Sequence, residues 1–246
     1  MDLILGKRHL LGLSVLAFVT GCASVPYRYG AGEFQMPSDK SNTVRYGGEQ
    51  PCLDWAEQMV HAPARIVSRS LGKAEDPLVV EANRSEAVEL SSEYLRENFL
   101  QDVQIDVRRY SPAEQWKRIR ENNRVSPALK YTAGTLSWAG YTLFPGRVWH
   151  VDKYNVFSNS MSLNSSDPVS ALYAAAEAKE YRRRKLPGVY WGMQMLPGVP
   201  VVHILMMGRD ASGYARAQGD EKLKDDVRKH ALTEAVVEVA TEFIEF

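Results

Sequence analysis

Cysteine is nearly missing from this chain of 246 residues: Cys22 and Cys52 are the two present, and neither belongs to a CxxC pair. A disulfide-rich scaffold and a ribbon-type structural zinc are therefore excluded. Excess charge of one sign is missing too. Thirty Lys+Arg stand against thirty Asp+Glu, which removes the global electrostatic footprint of a general nucleic-acid binder. The chain contains no GxSxG elbow, no Walker loop and no GxGxxG, so serine-hydrolase and nucleotide chemistry have no motif to rest on. What the chain does have is core material. With 45% hydrophobic and 24% charged residues it is neither disordered nor fibrous.

The sharpest local signal is at the N-terminus. Lys7, Arg8 and His9 precede an apolar run from Leu10 to Thr20, too short to span roughly 30 Å of hydrocarbon but of the right length for the h-region of a secretory signal. The run ends Val19-Thr20-Gly21-Cys22-Ala23-Ser24. This resembles the lipobox of bacterial lipoproteins, in which small residues precede a cysteine that becomes the acylated N-terminus. The resemblance implies a signal peptide over residues 1–21, a lipid anchor at Cys22 and a place in the cell envelope. Ala23 in place of Asp is similar to the sorting signal for the outer membrane. Several acyl chains, at about 0.8 kcal/mol per buried CH₂, make such an attachment effectively permanent. Cleavage removes Asp2, Lys7 and Arg8 and leaves the mature charge balanced, at about −1. Cys52 is then the remaining thiol, and burial is the expected fate for a residue type so often found inside. Residues 22–51, rich in Gly, Ser, Pro, Tyr and Asn without sustained periodicity, read as a lipidated tether ahead of one globular domain over 52–246.

Within that domain the patterns alternate between helix and strand. Val88, Ser91, Leu95 and Phe99 predict an amphipathic helix over Ser85 to Gln101, and Val103, Ile105 and Val107 predict a half-buried strand. Ser111-Pro112-Ala113-Glu114 opens a helix running to about Asn122. Two apolar aromatic runs flank Pro145-Gly146 between Leu136 and Val151, consistent with a hairpin or with a strand, turn and strand. A further strand is expected over Tyr154 to Leu163, then a helix capped by Asp167-Pro168 and ending near Lys185. The run from Leu186 to Gly208 is the most hydrophobic of the mature chain. Pro187, Pro197 and Pro200, together with Gln194 and His203, favour two short core helices over a membrane span. Asp220 to Phe246 reads as one long amphipathic helix, in which His230 is expected to face solvent.

The frame from Asp152-Lys153-Tyr154-Asn155 through Leu163 to Asp167-Pro168 and Leu172-Tyr173-Ala174-Ala175-Ala176-Glu177 resembles a group of bacterial zincin-like metallopeptidases, in which an Asn-rich strand precedes a helix bearing His-Glu-x-x-His. The resemblance covers about residues 145–210. It implies an α+β fold with zincin-like helices packed on a small mixed or antiparallel sheet. In the metal-bearing motif, imidazoles at i and i+4 share one helical face and a Glu acts as base. Here those places read Tyr173, Ala174 and Glu177, and His203-Ile204 replaces the downstream His-Glu. Alanine cannot take a proton from water, and tyrosine is a poor neutral ligand. The resemblance therefore implies a pseudoenzyme that binds or scaffolds at the membrane surface and requires no metal, no cofactor and no nucleic acid. Glu177 on a packed seam needs a partner, and His203 is the expected neighbour.

A second reading makes the chain an active hydrolase, metal-dependent or not, that uses His150, Asp152, Glu177 and His203. His150-Val151-Asp152 would place His and Asp on one face of a strand. The basic run Arg182-Arg183-Arg184-Lys185 closes a helix at the negative end of its dipole. Any functional use of that run would be toward the phosphates of lipopolysaccharide or phospholipid head groups, while the protein as a whole is expected to meet an envelope protein or lipid head-group partner.

Overall fold

The computed structural model describes residues 26–30, 42–70 and 77–244. The signal-like run and Cys22 lie outside the described residues. Four strands, β1 (Val44–Tyr46), β2 (Gln104–Val107), β3 (Lys153–Asn155) and β4 (Ser160–Leu163), form one sheet in the order β1-β2-β4-β3. β1, β2 and β4 are parallel, and β3 returns antiparallel to β4, pairing Tyr154 with Met161. The described helices are α1 (Pro51–Ser70), α2 (Pro77–Glu97), α3 (Pro112–Glu121), α4 (Pro127–Tyr131), α5 (Ala133–Leu143), α6 (Gly146–Trp149), α7 (Pro168–Arg182), α8 (Pro187–Met193), α9 (Val199–Ala217) and α10 (Glu221–Ile244). The fold is α+β, a helical domain built around a small mixed sheet.

Helix α7 organises the interior. Its cap is local chemistry: the Asp167 carboxylate accepts from the N–H groups of Val169 and Ser170, both at 3.1 Å, and Pro168 at the first turn has no N–H to satisfy. Ala171, Ala174, Ala175, Ala176 and Ala178 are all buried, and their small side chains let other elements come close on every side. α2, α9, α10 and the β3–β4 pair all pack on α7. α9 and α10 are themselves in tight contact. A Cβ on Gly208 would lie 2.3 Å from the Ala231 Cβ, so only glycine fits that crossing. Gly219, at φ +80°, turns the chain between them.

Several expectations need correction. Strand β2 is buried on both faces, because its polar side chains enter a network beneath α3. Gln104 donates to Asp106 (2.6 Å), Gln115 donates to Asp106 (3.2 Å), and Arg118 donates to the carbonyls of Ser158 (3.0 Å) and Asn159 (2.7 Å). Burial raises the Asp106 carboxyl above the usual range even with arginines nearby. Residues 136–151 form helices α5 and α6 and not a hairpin. Gly134, Trp138 and Tyr141 recur at helical spacing, and the Trp138 indole donates to Pro112 O (2.8 Å) while Ser111 N donates to the Tyr141 hydroxyl (2.9 Å). The single strand expected over 154–163 is a hairpin, folded where Asn155 Oδ1 accepts from Phe157 N (3.0 Å) and Asn159 takes a left-handed φ of 49°.

The expected tether does not lie wholly apart from the domain. Residues 44–46 add β1 to the sheet, and Asn42 is buried, donating to Leu100 O (2.8 Å) and Val103 O (3.0 Å). Cys52 is exposed near the start of α1, where an amphipathic helix turns it outward. His230 is half-buried, with the Tyr173 ring edge-on at 5.0 Å. The Leu186–Gly208 run does divide between α8 and α9. No helix among the described residues is long and apolar enough to cross a membrane.

Candidate functional site

A cavity of about 620 Å³ opens beside β3, between α5–α6 on one side and α7, α8 and α9 on the other. Among its polar groups, which come from separate elements, are Glu177 from α7, His203 from α9, Lys153 from β3 and Arg109 from the chain after β2. Tyr141, Tyr181 and Trp191 supply aromatic wall. Phe144 and Trp149 also line it, yet remain 68% and 53% exposed. Large apolar side chains kept in water beside a cavity mark a surface that meets something else.

Glu177 and His203 meet here. Glu177 Oε1 lies 4.0 Å from His203 Nε2, beyond hydrogen-bond length, while Glu177 Oε2 accepts from the backbone N–H of Tyr154 at 3.0 Å. The strand order places β3 at the sheet edge, and this N–H points away from β4. The carboxylate therefore closes off part of the edge. His203 is 5% exposed. Its Nδ1 pairs with the Tyr190 hydroxyl at 3.1 Å, and its Nε2 is buried with no hydrogen-bond partner. Tyr181 stands edge-on to the same imidazole at 5.3 Å. Burial, reinforced by Glu177, pushes the Tyr181 phenol well above its ordinary range. Whichever group donates in the Tyr190–Nδ1 contact, the histidine presents its unmet Nε2 to the cavity.

The other motif positions turn elsewhere. Tyr173 is buried in the seam between α7, α9 and α10, where its hydroxyl donates to Ile204 O at 2.6 Å. Burial raises its pKa far above the ordinary value, so it stays a neutral phenol. Ala174 is buried and has no donor atom. A zinc ion does not fit this donor set. A catalytic site needs three protein ligands and an open position, whereas here one carboxylate already holds a strand edge and one imidazole stands alone. Among the described residues no group of three His, Cys, Asp or Glu is placed to hold a metal.

The four residues His150, Asp152, Glu177 and His203 are not assembled into one site. His150 sits in left-handed backbone at the end of α6, and its Nε2 meets Glu57 at 2.7 Å, with the His61 ring stacked on it at 4.1 Å. Burial pushes the Glu57 carboxyl up, but Arg108, donating at 3.0 and 2.7 Å, and His150 outweigh it and hold it below the usual range. Asp152 instead pins the turn ahead of α7, accepting from the N–H groups of Asn164 (2.6 Å) and Ser165 (2.8 Å). Neither His150 nor Asp152 lines the cavity. Glu57 and His61 carry no motif, and only their position on α1, far from His150 in the chain, makes them its partners.

The basic run is drawn into ion pairs. Arg182 reaches Asp102 at 2.6 Å, Arg183 reaches Asp210 at 3.0 Å, and Arg184 reaches Glu180 at 3.3 Å while lying over the Tyr190 ring. Compared with known protein families, curated proteins and solved structures, the chain matches none.

Proposed function

We propose that this protein is a lipid-anchored bacterial envelope protein, held through acylated Cys22 and directed to the outer membrane. In this reading its domain is a zincin-like scaffold without the zinc chemistry, and it works by binding a ligand or an envelope partner in the cavity. The observation that carries the non-catalytic part is the use of Glu177: of the helix positions Tyr173, Ala174 and Glu177, the one that keeps coordinating ability holds the Tyr154 N–H at the sheet edge. The unmet Nε2 of His203 in the same cavity supports a binding role, because a buried polar group without a partner is costly unless a ligand supplies one.

The anchoring half is tested by metabolic labelling with a fatty acid in the parent and in Cys22→Ser. Label should enter the parent and disappear from the variant, which should accumulate as uncleaved precursor or as protein free of the membrane. Label that persists in Cys22→Ser contradicts the anchor.

A further inference from the structure

On the side of α7 away from the cavity lies a second cleft, of about 980 Å³, lined in part by residues 26–29. The Tyr27 hydroxyl accepts from Lys179 Nζ (2.7 Å), and its proton is shared between Asn98 Oδ1 (3.0 Å) and Asp210 Oδ2 (3.2 Å). Lys179 Nζ also donates to Arg28 O (2.9 Å), and Gly30 N donates to Asn98 Oδ1 (3.1 Å). This segment is therefore held to the domain by side chains of α7 and α9 and by Asn98, just past the end of α2. Five arginines line the cleft, Arg28, Arg183, Arg209, Arg216 and Arg228, against two carboxylates, Glu180 and Asp210. Both carboxylates are already engaged: Glu180 by Arg183 and Arg184, Asp210 by Lys179, Arg183 and the Tyr94 hydroxyl. Arg28, Arg209 and Arg228 are exposed, and among the described residues none of the three has a carboxylate partner.

The position of this cleft in the chain indicates what it meets. Pro26 lies four residues after Cys22, and at 3.3 to 3.6 Å per residue those four residues span at most about 14 Å. An acyl anchor at Cys22 thus brings the cleft to the bilayer surface, within reach of its phosphates. Arginine suits that chemistry because its planar fork pairs bidentately with phosphate oxygens, and basic clusters beside an anchor are attracted to anionic lipid.

We propose that the Arg28, Arg209 and Arg228 cleft binds the phosphodiester head group of an anionic phospholipid in the leaflet that carries the anchor. This rests on the lipid-anchored reading above. Head-group binding would give the domain a fixed orientation: at 100° per residue, Glu177 and Lys179 point to nearly opposite faces of α7, so the cavity would face away from the membrane.

The test uses the full chain carrying Cys22→Ser, with and without Arg209→Ala and Arg228→Ala, titrated calorimetrically with dihexanoyl phosphatidylglycerol below its micelle concentration. Dihexanoyl phosphatidylcholine and inorganic phosphate are the comparison probes. Phosphatidylglycerol should bind tightest of the three, and the double substitution should weaken it at least about tenfold while the thermal midpoint is kept. Equal affinity with and without the arginines overturns the site, and so does equal affinity for phosphatidylcholine. Inorganic phosphate binding as tightly as the lipid would replace it with a free-phosphate site. If the double variant loses its thermal transition, the same titration is read on Arg228→Ala alone, with a threefold or greater loss expected and no loss overturning the site. Because every titration uses Cys22→Ser, its outcome is separate from the mass of the parent protein, in which an unacylated Cys22 would contradict the anchor and leave the titration result standing.

Discussion

Glu177 and Lys179 are two residues apart on α7, and their surroundings differ in kind. Lys179 is 0% exposed in a closed network, where Asp210, the Tyr27 hydroxyl and the Arg28 carbonyl satisfy its three N–H donors. Glu177 faces a cavity in which one of its oxygens and the Nε2 of His203 lie near each other without a hydrogen bond. The first arrangement holds three helices and an N-terminal segment together. The second leaves hydrogen-bonding capacity unused, which is what a binding site requires and a structural core avoids. One helix therefore separates a closed polar network around Lys179 from a cavity in which the His203 Nε2 is left unmet.

The largest effect expected from breaking this comparison is at Asp210. Asp210→Ala leaves Lys179 buried without its carboxylate and should destabilise the protein by about 3–5 kcal/mol in urea unfolding, the usual range for removing one partner of a buried ion pair. His203→Leu, on the cavity side, should stay within about 1.5 kcal/mol because an apolar group of similar size replaces an imidazole with an unmet nitrogen. Equal losses at the two sites would erase the distinction.

A smaller and pH-dependent effect sharpens it. Burial, offset in part by Asp210, lowers the Lys179 pKa from 10.5 to about 8. Between those values the unfolded chain holds a proton that the folded chain has released, so the contribution of this lysine to stability rises with pH. Arg183 and Glu180 act on the same ammonium, and the buried Tyr27 and Tyr94, whose pKa values are raised by burial and then by Asp210, oppose the trend above about pH 10. From pH 8 to 10 the unfolding free energy of the parent should increase relative to Lys179→Met. Parallel pH profiles for the two proteins would place Lys179 outside this network.

The sequence marks the local features of this fold clearly and its distant partners hardly at all. Asp167-Pro168 announces the start of α7, and the three prolines divide the apolar run into α8 and α9, because capping and missing donors are local chemistry. The aromatic run at 136–143 fits a strand or a helix by composition, and only the packing of Trp138 and Tyr141 on the start of α3 settles it as helix. The Glu177 and His203 pair is readable, since Asp167-Pro168 starts the helix that carries Glu177 and His203 falls in the apolar helical run that follows it. The Tyr154 N–H that Glu177 holds was not, because a strand edge is a property of the sheet. Tyr27 and Lys179 are 152 residues apart, and nothing in a stretch rich in Gly, Ser and Pro distinguishes a docked segment from a free one.

Zinc content measures the central claim most directly. The full chain is purified from zinc-supplemented medium, dialysed, and assayed by elemental analysis beside Glu177→Gln and His203→Ala. The account predicts well below one zinc per chain in all three, with no change between parent and variants. One tightly held zinc per chain in the parent, lost in both variants, would contradict it and restore a metal-dependent hydrolase at Glu177 and His203.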